Sequence, residues 1–286
     1  MRTIAIEAGF VAKAIPPRRS DSHKGMNGVV CVVGGSRLYH GAPFLAASGA
    51  MRAGVDLVYI AVPAVIAEAV RALSPDFIVV PLPDSKLTRG TVSKLKGWLP
   101  RVDSIAVGPG LGPQNPANLE NAVRVLKGLG RGIVLDADAL RSSILDVAKG
   151  SGTVVTPHAG EFERLFSAKL PDTLEGRVGL AAEKAGTHGV TVLLKGSTDV
   201  ITDGSQVGLN TTHSPSMTVG GTGDVLSGVT AAMIAKGVPA FEAGCCAAYI
   251  TGAAGVEVTT ELGLHITASD VANRIASVMK RFDRVE

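Results

Sequence analysis

The amino-acid sequence predicts an α/β fold whose central sheet is mostly parallel and covered by helices on both faces. Short β-branched, apolar runs alternate with longer segments that carry apolar residues at helical spacing. The short runs are apolar almost throughout, which is typical of strands that are buried on both faces. An Asp203-Gly204 turn between two further runs predicts one antiparallel hairpin in addition.

Each predicted strand is bounded by glycine, proline or aspartate, the residues that most often end a strand. The strands are predicted over residues 28–33, 56–62, 77–81, 104–107, 132–135, 153–156 and 190–194, with hairpin strands over 199–202 and 206–209. Helical spacing predicts helices over 42–53, 65–73, 117–129, 139–149 and 175–187, and three more that begin near residues 224, 241 and 267.

The most apolar region of the chain comprises residues 229–258. Lys236, Gly237, Pro239 and Glu242 interrupt it, so we expect two successive buried helices and no membrane span. No linker, repeat or low-complexity segment divides the sequence. We therefore expect a single domain over residues 1–286.

Composition and charge exclude several classes of protein. The chain has 286 residues, a formal net charge of +3 and 46% hydrophobic residues, enough for a substantial core. No dense basic run extends beyond Arg18-Arg19, so nucleic acid binding is not indicated. Cys31, Cys245 and Cys246 lack metal-ligand spacing and indicate buried apolar side chains. The N-terminus lacks a secretory apolar run, so we expect a cytoplasmic protein.

The stretch with the clearest chemical meaning is residues 218–228, which precedes an apolar helical pattern. Gly221, Thr222 and Gly223 lie where a loop turns into a helix. Glycines let a backbone approach a ligand, and unpaired N–H groups at a helix start attract an anion, most often a phosphate. Asp224 beside such an anion hole is suited to act as a base on a hydroxyl. The alternative is an acidic residue that merely interacts favourably with the helix dipole.

Other chemistry-bearing residues follow predicted strands, where ligands of open α/β sheets bind. These segments are Gly34-Gly35-Ser36, Gly108–Gly112, Asp136 with Asp138, residues 156–161, and Lys195-Gly196. His158 is either a buried, hydrogen-bonded histidine or a ligand of the substrate. Glu161 either interacts with a helix dipole or reaches a metal through water. Lys195 is either a phosphate-binding charge or a solvated lysine. Asp136 and Asp138 are either part of the site or a turn and helix cap pair, and the cap is the favoured interpretation of Asp138.

Two common nucleotide motifs are missing: no G-x-x-x-x-G-K-[ST] occurs, and no G-x-G-x-x-G follows the first strand. The residues instead resemble the nucleotide-dependent NAD(P)H-hydrate dehydratases of the ribokinase-like superfamily. The matching segments run in the family's order from residue 23 to 228, and include 32–36, 41–43, 108–112, 136–140, 156–161, 194–196 and 220–228. One departure is His213-Ser214-Pro215-Ser216, where the family has Gly-Asn-Pro-Gly.

The resemblance implies a three-layer α/β/α fold and a repair reaction: dehydration of hydrated NADH or NADPH at the expense of ADP or ATP, with Mg²⁺. It implies catalytic roles for Gly221, Thr222, Gly223 and Asp224. The hydrate would contact Ala42, Gly110, His158 and Asp224, and the nucleotide would contact Lys195, Gly196, Ser197, Thr198, Asp199 and Gly223. Glu161 would hold the metal through water.

The resemblance also implies a homotetramer. Many relatives carry an epimerase domain that precedes the dehydratase region, so we expect any hydrate epimerase to be a separate polypeptide.

Two alternatives remain open from the residues themselves. A small-molecule kinase of the same superfamily, acting on a hydroxymethylpyrimidine, a hydroxyethylthiazole or a sugar alcohol, would use the same Asp224 and anion hole. A non-catalytic adenylate sensor would need the glycines but would not need the base. An assay of adenylate release distinguishes these possibilities. A dehydratase would release adenylate with the hydrate, a kinase with an alcohol, and a sensor with neither.

Overall fold

The computed structural model describes residues 2–99 and 101–286. Its strands are β1 (Arg2–Ala5), β2 (Val29–Val33), β3 (Leu57–Pro63), β4 (Ile78–Leu82), β5 (Ser104–Val107), β6 (Gly132–Leu135), β7 (Thr153–Val155), β8 (Thr191–Leu194), β9 (Asp199–Thr202) and β10 (Gln206–Asn210). Its helices are α1 (Ala8–Ala14), α2 (Gly41–Arg52), α3 (Ala64–Arg71), α4 (Arg89–Trp98), α5 (Pro116–Lys127), α6 (Leu145–Ala148), α7 (Ala159–Phe166), α8 (Leu174–His188), α9 (Thr222–Ala235), α10 (Ala240–Leu262) and α11 (Ala268–Met279).

The ten strands form one sheet in the order β1-β10-β9-β8-β7-β6-β5-β2-β3-β4. All neighbouring pairs are parallel except those of β9, which runs antiparallel to both β8 and β10. The predicted fold class and the predicted hairpin are therefore confirmed. Since β2, β5, β6, β7 and β8 are parallel, the loops that follow them leave from one edge of the sheet.

Helices cover both faces of the sheet. Val30 and Val32 of β2 belong to the core beneath α2, α9, α10 and α11, whereas Cys31 and Val33 belong to the core on the opposite face. All five residues of β2 are buried, which accounts for the continuous apolar runs from which a two-sided sheet was predicted. No helix within residues 2–99 and 101–286 is long and apolar enough to cross a membrane.

Close packing of α9 against α2 fixes the start of α9 beneath the loop edge. A Cβ on Gly228 would lie 1.8 Å from the Ala46 carbonyl oxygen, and one on Gly49 would lie 2.5 Å from the Val225 carbonyl oxygen. The two helices therefore touch backbone to backbone, which only glycine permits at these positions.

Some predicted elements were wrong or missed. The predicted helix over residues 139–149 is broken into two 3₁₀ turns and the short α6, with extended backbone at Arg141 between the turns. Arg164 of α7 donates to the Leu140 carbonyl, an acceptor that a helix over residues 139–149 would have used, and to the Ala137 carbonyl. Helices α1 and α4 and strand β1 were missed, and β1 is held by pairing with β10.

Candidate active site at the carboxyl ends of the strands

The N-terminus of α9 forms the centre of the site. Gly221 precedes the helix with a φ of 100°, which favours glycine. The first α-helical bond runs from the Val225 N–H to the Gly221 carbonyl. The N–H groups of Thr222, Gly223 and Asp224 therefore precede the hydrogen-bonded helix and face outward with the positive end of its dipole. Such an end can receive a phosphate.

The side-chain hydroxyl of Thr222 forms hydrogen bonds within the loop that precedes α9. Its hydroxyl donates to the Met217 carbonyl at 2.8 Å and lies 3.2 Å from the Val219 carbonyl. This bond braces the loop that leads into α9. Thr222 therefore offers its N–H group to an anion, while its hydroxyl is already committed to the loop.

Asp224 lies in the first turn of α9 and is half-buried. Burial raises the pKa of its carboxyl to about 8, and the charges of Asp136, Glu161 and Asp138 add to the rise, while Lys195 opposes it. A carboxylate with a pKa near the working pH is well matched to accept a proton from a hydroxyl.

A charge cluster beside Asp224 joins three strand ends. Lys195 follows β8, and its Nζ lies 3.1 Å from Asp136 Oδ1 and 3.4 Å from Glu161 Oε2. The Thr156 hydroxyl also donates to Asp136 Oδ1, at 2.8 Å. Burial lowers the pKa of Lys195, but the two carboxylates outweigh it and raise the pKa above its ordinary value. Lys195 therefore carries its positive charge inside the site.

His158 and Glu161 cap α7 reciprocally. His158 Nδ1 accepts from the N–H groups of Gly160 and Glu161, and Glu161 Oε2 accepts from the His158 N–H at 2.9 Å. Because Nδ1 is the acceptor, a neutral His158 carries its proton on Nε2, which lies 3.5 Å from Glu161 Oε1. The cap holds both side chains at the loop edge.

A cavity of about 680 Å³ opens between α9, α10 and the loops that follow β7, β8 and β10. Eight of the predicted site residues line it: His158, Lys195, Gly196, Ser197, Asp199, Gly221, Thr222 and Gly223. A Cβ on Gly223 would lie 3.3 Å from Lys195 Nζ, so the helix start and the lysine face one another. Glu161, Thr198 and Asp224 are not part of the cavity lining.

Ala42 and Gly110 also lie outside the lining of that cavity, but they adjoin one another. A Cβ on Gly110, whose φ is 65°, would lie 2.9 Å from the Ala42 Cβ. Leu45, one turn further along α2, approaches Gly221, since a Cβ there would lie 2.6 Å from Leu45 Cδ1. Ala42 and Gly110 therefore belong to the side of the α9 N-terminus that faces α2.

Asp199 organises the loop between β8 and β9. One carboxylate oxygen accepts from the Gly196 N–H and the other from the Asn210 side chain, both at 3.0 Å. Burial raises the pKa of Asp199. Since both oxygens are engaged, Asp199 shapes the wall of the cavity through Gly196.

The carboxylates of the site provide a limited metal-binding set. Within the described part of the chain, no group of three or more His, Cys, Asp and Glu side chains could hold a metal ion. Glu161 is already bonded to the His158 N–H and paired with Lys195. Mg²⁺ commonly binds through one or two carboxylates, several waters and substrate phosphates. The arrangement therefore suits a metal carried mainly by a nucleotide.

Sequence reasoning missed the role of Asp136 and misassigned Asp138. Asp136 makes no side-chain cap and is 2% exposed, bound to Lys195 and Thr156. Asp138, interpreted as a helix cap, instead accepts from the Gly112 N–H at 2.8 Å. The signal for Asp136 was its position directly after β6, at the edge where Lys195 follows β8.

The unusual loop at residues 213–216 is well anchored. Ser214 caps the following 3₁₀ turn by accepting from the Ser216 N–H. The Ser216 hydroxyl lies 2.6 Å from the Thr259 hydroxyl of α10. His213, Ser214 and Pro215 all line the cavity, which sequence reasoning did not assign to them.

The layered sheet with a carboxylate at a helix N-terminus defines a protein of ribokinase-like fold. A ribokinase-like superfamily protein from Enterococcus faecalis V583 superposes with a TM-score of 0.82 over 99% of this chain and 97% of that one, at 23% sequence identity. The chain belongs to the NAD(P)H-hydrate dehydratase family, whose model matches residues 30–277.

Two relatives support this assignment. The chain is 50% identical over 277 residues to the ADP-dependent (S)-NAD(P)H-hydrate dehydratase of Cenarchaeum symbiosum (strain A), covering 96% of each. It is 27% identical to the ADP/ATP-dependent NAD(P)H-hydrate dehydratase of Bacillus subtilis, whose structure was co-crystallised with ATP and Mg²⁺. That structure superposes with a TM-score of 0.82 over 96% of each chain.

Proposed function

We propose that this chain dehydrates the (S)-hydrates of NADH and NADPH back to the reduced cofactors, with ADP consumed and AMP and phosphate released. The observation that carries the proposal is the position of Asp224. Its carboxyl, with a pKa of about 8, lies in the first turn of α9 beside unpaired N–H groups and near Lys195. A base next to an anion site is the arrangement that phosphoryl transfer to a hydroxyl requires.

The nucleotide and the hydrate are assigned to different sides of the α9 N-terminus. The cavity lined by Lys195, Gly196, Ser197 and Asp199 is large enough for a nucleotide, and the lysine and Gly223 face one another in its wall. Thr198 adjoins these residues in sequence. The hydrate would contact Ala42, Gly110 and His158, and His158 also lines the cavity assigned to the nucleotide.

The reaction begins at the hydroxyl on C6 of the hydrated ring. Asp224 accepts its proton as the hydroxyl oxygen attacks the β-phosphorus of ADP, and the bond from that phosphorus to the bridging oxygen breaks, so AMP leaves. The N–H groups at the start of α9 stabilise the negative charge on the oxygens of the phosphoryl group during its transfer. Lys195, charged and held by Asp136 and Glu161, neutralises charge on the leaving nucleotide.

Transfer of the phosphoryl group turns hydroxide, a poor leaving group, into phosphate, a good one. The lone pair of the ring nitrogen expels phosphate from C6. Loss of the proton on C5 then restores the ring double bond of the reduced cofactor. The overall change converts hydrate and ADP into NAD(P)H, AMP and phosphate.

Mg²⁺ would be bound through the nucleotide phosphates and waters, with Glu161 the candidate carboxylate to hold those waters. Bound there, the metal would neutralise phosphate charge and hold the phosphates in line with the attacking oxygen.

The test supplies enantiomerically defined hydrated NADPH with ADP and follows recovery of the reduced-nicotinamide absorbance. Recovery that depends on ADP supports the proposal. Parallel reactions replace the hydrate with hydroxymethylpyrimidine, hydroxyethylthiazole or a sugar. Phosphorylation of one of these alcohols without recovery from the hydrate would make the chain a small-molecule kinase, and nucleotide binding without any turnover would make it a sensor.

A further inference from the structure

One buried hydroxyl in the wall of the 680 Å³ cavity has no hydrogen-bond partner. Among the described residues, three buried side-chain polar atoms are unpaired: Ser104 Oγ, Ser143 Oγ and Thr251 Oγ1. Of these three residues, Thr251 alone belongs to the lining of the cavity, and it is 3% exposed. A buried hydroxyl without a partner destabilises a protein unless a ligand or water satisfies it.

Comparable hydroxyls in the same helices are satisfied locally. Thr230 in α9 donates to the Leu226 carbonyl at 2.8 Å, and Thr259 and Thr260 in α10 donate to carbonyls four residues earlier at 2.7 and 2.9 Å. Thr251 lies on α10 too, yet it makes no such bond. Its hydroxyl is therefore uncommitted, in contrast to those of its helical neighbours.

The wall around Thr251 is apolar and close to a loop backbone. Ala248 and Gly252, its neighbours on α10, line the cavity together with Leu226 of α9 and Met217. A Cβ on Gly252 would lie 1.8 Å from the Thr212 carbonyl oxygen, so α10 and the loop after β10 meet here backbone to backbone. Lys195 and residues 221–223 at the start of α9 line the same cavity.

The polarity of the cavity matches that of an adenine nucleotide. Phosphates suit Lys195 and Gly223, which face one another, and a flat, largely apolar base with polar ring nitrogens suits the apolar side chains that line the cavity together with Thr251. Rotation about χ1 exchanges Oγ1 with Cγ2, two groups of similar size, so the hydroxyl can change direction with little change in the shape of the side chain. A ring nitrogen of adenine is an acceptor for that hydroxyl.

We propose that Thr251 recognises the purine base, with its hydroxyl donating a hydrogen bond to a ring nitrogen of the bound adenine. The inference rests on the proposed function in taking the ligand to be an adenine nucleotide. It assigns base recognition to a residue of α10, separate from the phosphate-binding residues.

Three variants test the proposal. Thr251→Val keeps the shape of the side chain and removes the hydroxyl, Thr251→Ser keeps a hydroxyl, and Thr230→Val removes a hydroxyl that is already bonded inside α9. Calorimetry without hydrate measures the Kd of ADP. We expect Thr251→Val to weaken ADP about fivefold to tenfold, as loss of one hydrogen bond does. Thr251→Ser should retain most of the affinity, and Thr230→Val should bind ADP like the parent protein.

A ligand without a base separates base recognition from general damage. The affinity for inorganic pyrophosphate, measured in competition with ADP, should be equal in Thr251→Val and the parent. The Tm of ligand-free Thr251→Val should equal or exceed that of the parent, because an unsatisfied buried hydroxyl has been removed.

Unchanged ADP affinity in Thr251→Val, or equal losses for ADP and pyrophosphate, would overturn the inference. Failure of the proposed function looks different. In that case the parent protein binds ADP and Thr251→Val weakens it selectively, but no hydrate is converted.

Discussion

Lys195 and Asp136 pair at 3.1 Å across the ends of two strands that are not neighbours in the sheet. Lys195 follows β8 and Asp136 follows β6, and Glu161, from the helix after the intervening β7, completes the group. A single ammonium group therefore ties three consecutive loops of the parallel sheet together. It also places a fixed positive charge beside the carboxyl of Asp224, whose pKa it lowers against the opposing effect of burial.

Replacement of Asp224 by asparagine should abolish most turnover. Asparagine retains the shape and removes the base, so kcat should fall by about 10²- to 10⁴-fold. ADP affinity, measured by calorimetry, should change little, because the N–H groups of α9 remain. Asp146→Asn, a substitution at an exposed aspartate, is the matched control and should leave kcat unaltered. Near-parent turnover in Asp224→Asn would require another base.

Activity should rise with pH through the titration of Asp224. The carboxyl is active as a base only when it is deprotonated, and burial raises its pKa to about 8. Below that value, kcat/KM should increase about tenfold for each pH unit and then level off. The profile should be measured with the hydrate limiting, from pH 6 to 9, after correction for hydrate decay. A flat profile over this range would remove Asp224 from the role of general base.

Replacement of Lys195 by methionine should destabilise the fold and shift the pH profile. Asp136 and Glu161 would remain buried without their counter-ion, which costs roughly 3 kcal/mol in the free energy of unfolding. Without the ammonium, the pKa of Asp224 should rise, so the acid limb should move to higher pH. Lys184→Met breaks an exposed pair with Glu183 and should cost less than about 1 kcal/mol in chemical denaturation. An equal loss in the free energy of unfolding in the two variants would show that the pairing of Lys195 with Asp136 and Glu161 does not stabilise the fold.

His158 should affect the hydrate more than the nucleotide. His158→Ala should raise the KM for the hydrate more than the KM for ADP. The substitution also removes the cap of α7, which costs about 1 kcal/mol of stability. His158→Asn keeps a capping side chain and so isolates the ring's contribution to binding. A larger rise in the KM for ADP would assign His158 to the nucleotide.

Removal of divalent metal should stop the reaction reversibly. We expect activity to vanish in excess chelator and to return with Mg²⁺, because Lys195 alone is too little charge to balance the phosphates of ADP. With saturating Mg²⁺, ADP should give a higher kcat/KM than ATP. Full activity in excess chelator would contradict the metal requirement, and a clear preference for ATP would contradict only the choice of donor.

Local patterns in the sequence were sufficient for most of the framework. The apolar runs predicted every strand from β2 to β10 within one or two residues, because a strand buried on both faces must be apolar throughout. Glycines and polar residues directly after those strands indicated the edge at which the cavity lies. Strand β1 was missed because its four residues, three of them exposed, form a strand through pairing with β10 rather than through an apolar pattern.

What the tertiary structure alone decided is where individual side chains find their partners. Arg164 donates to the Leu140 and Ala137 carbonyls within a segment predicted as helical, the Thr222 hydroxyl donates to the Met217 carbonyl, and Lys195 pairs with Asp136. Each of these bonds joins a side chain to a group outside its own element. The sequence by itself determined which segments are strands and helices and which of their ends carry chemistry, since those depend on local periodicity and turn residues. It could not determine the pairings, because their strength depends on burial and distance that exist only once the sheet has formed.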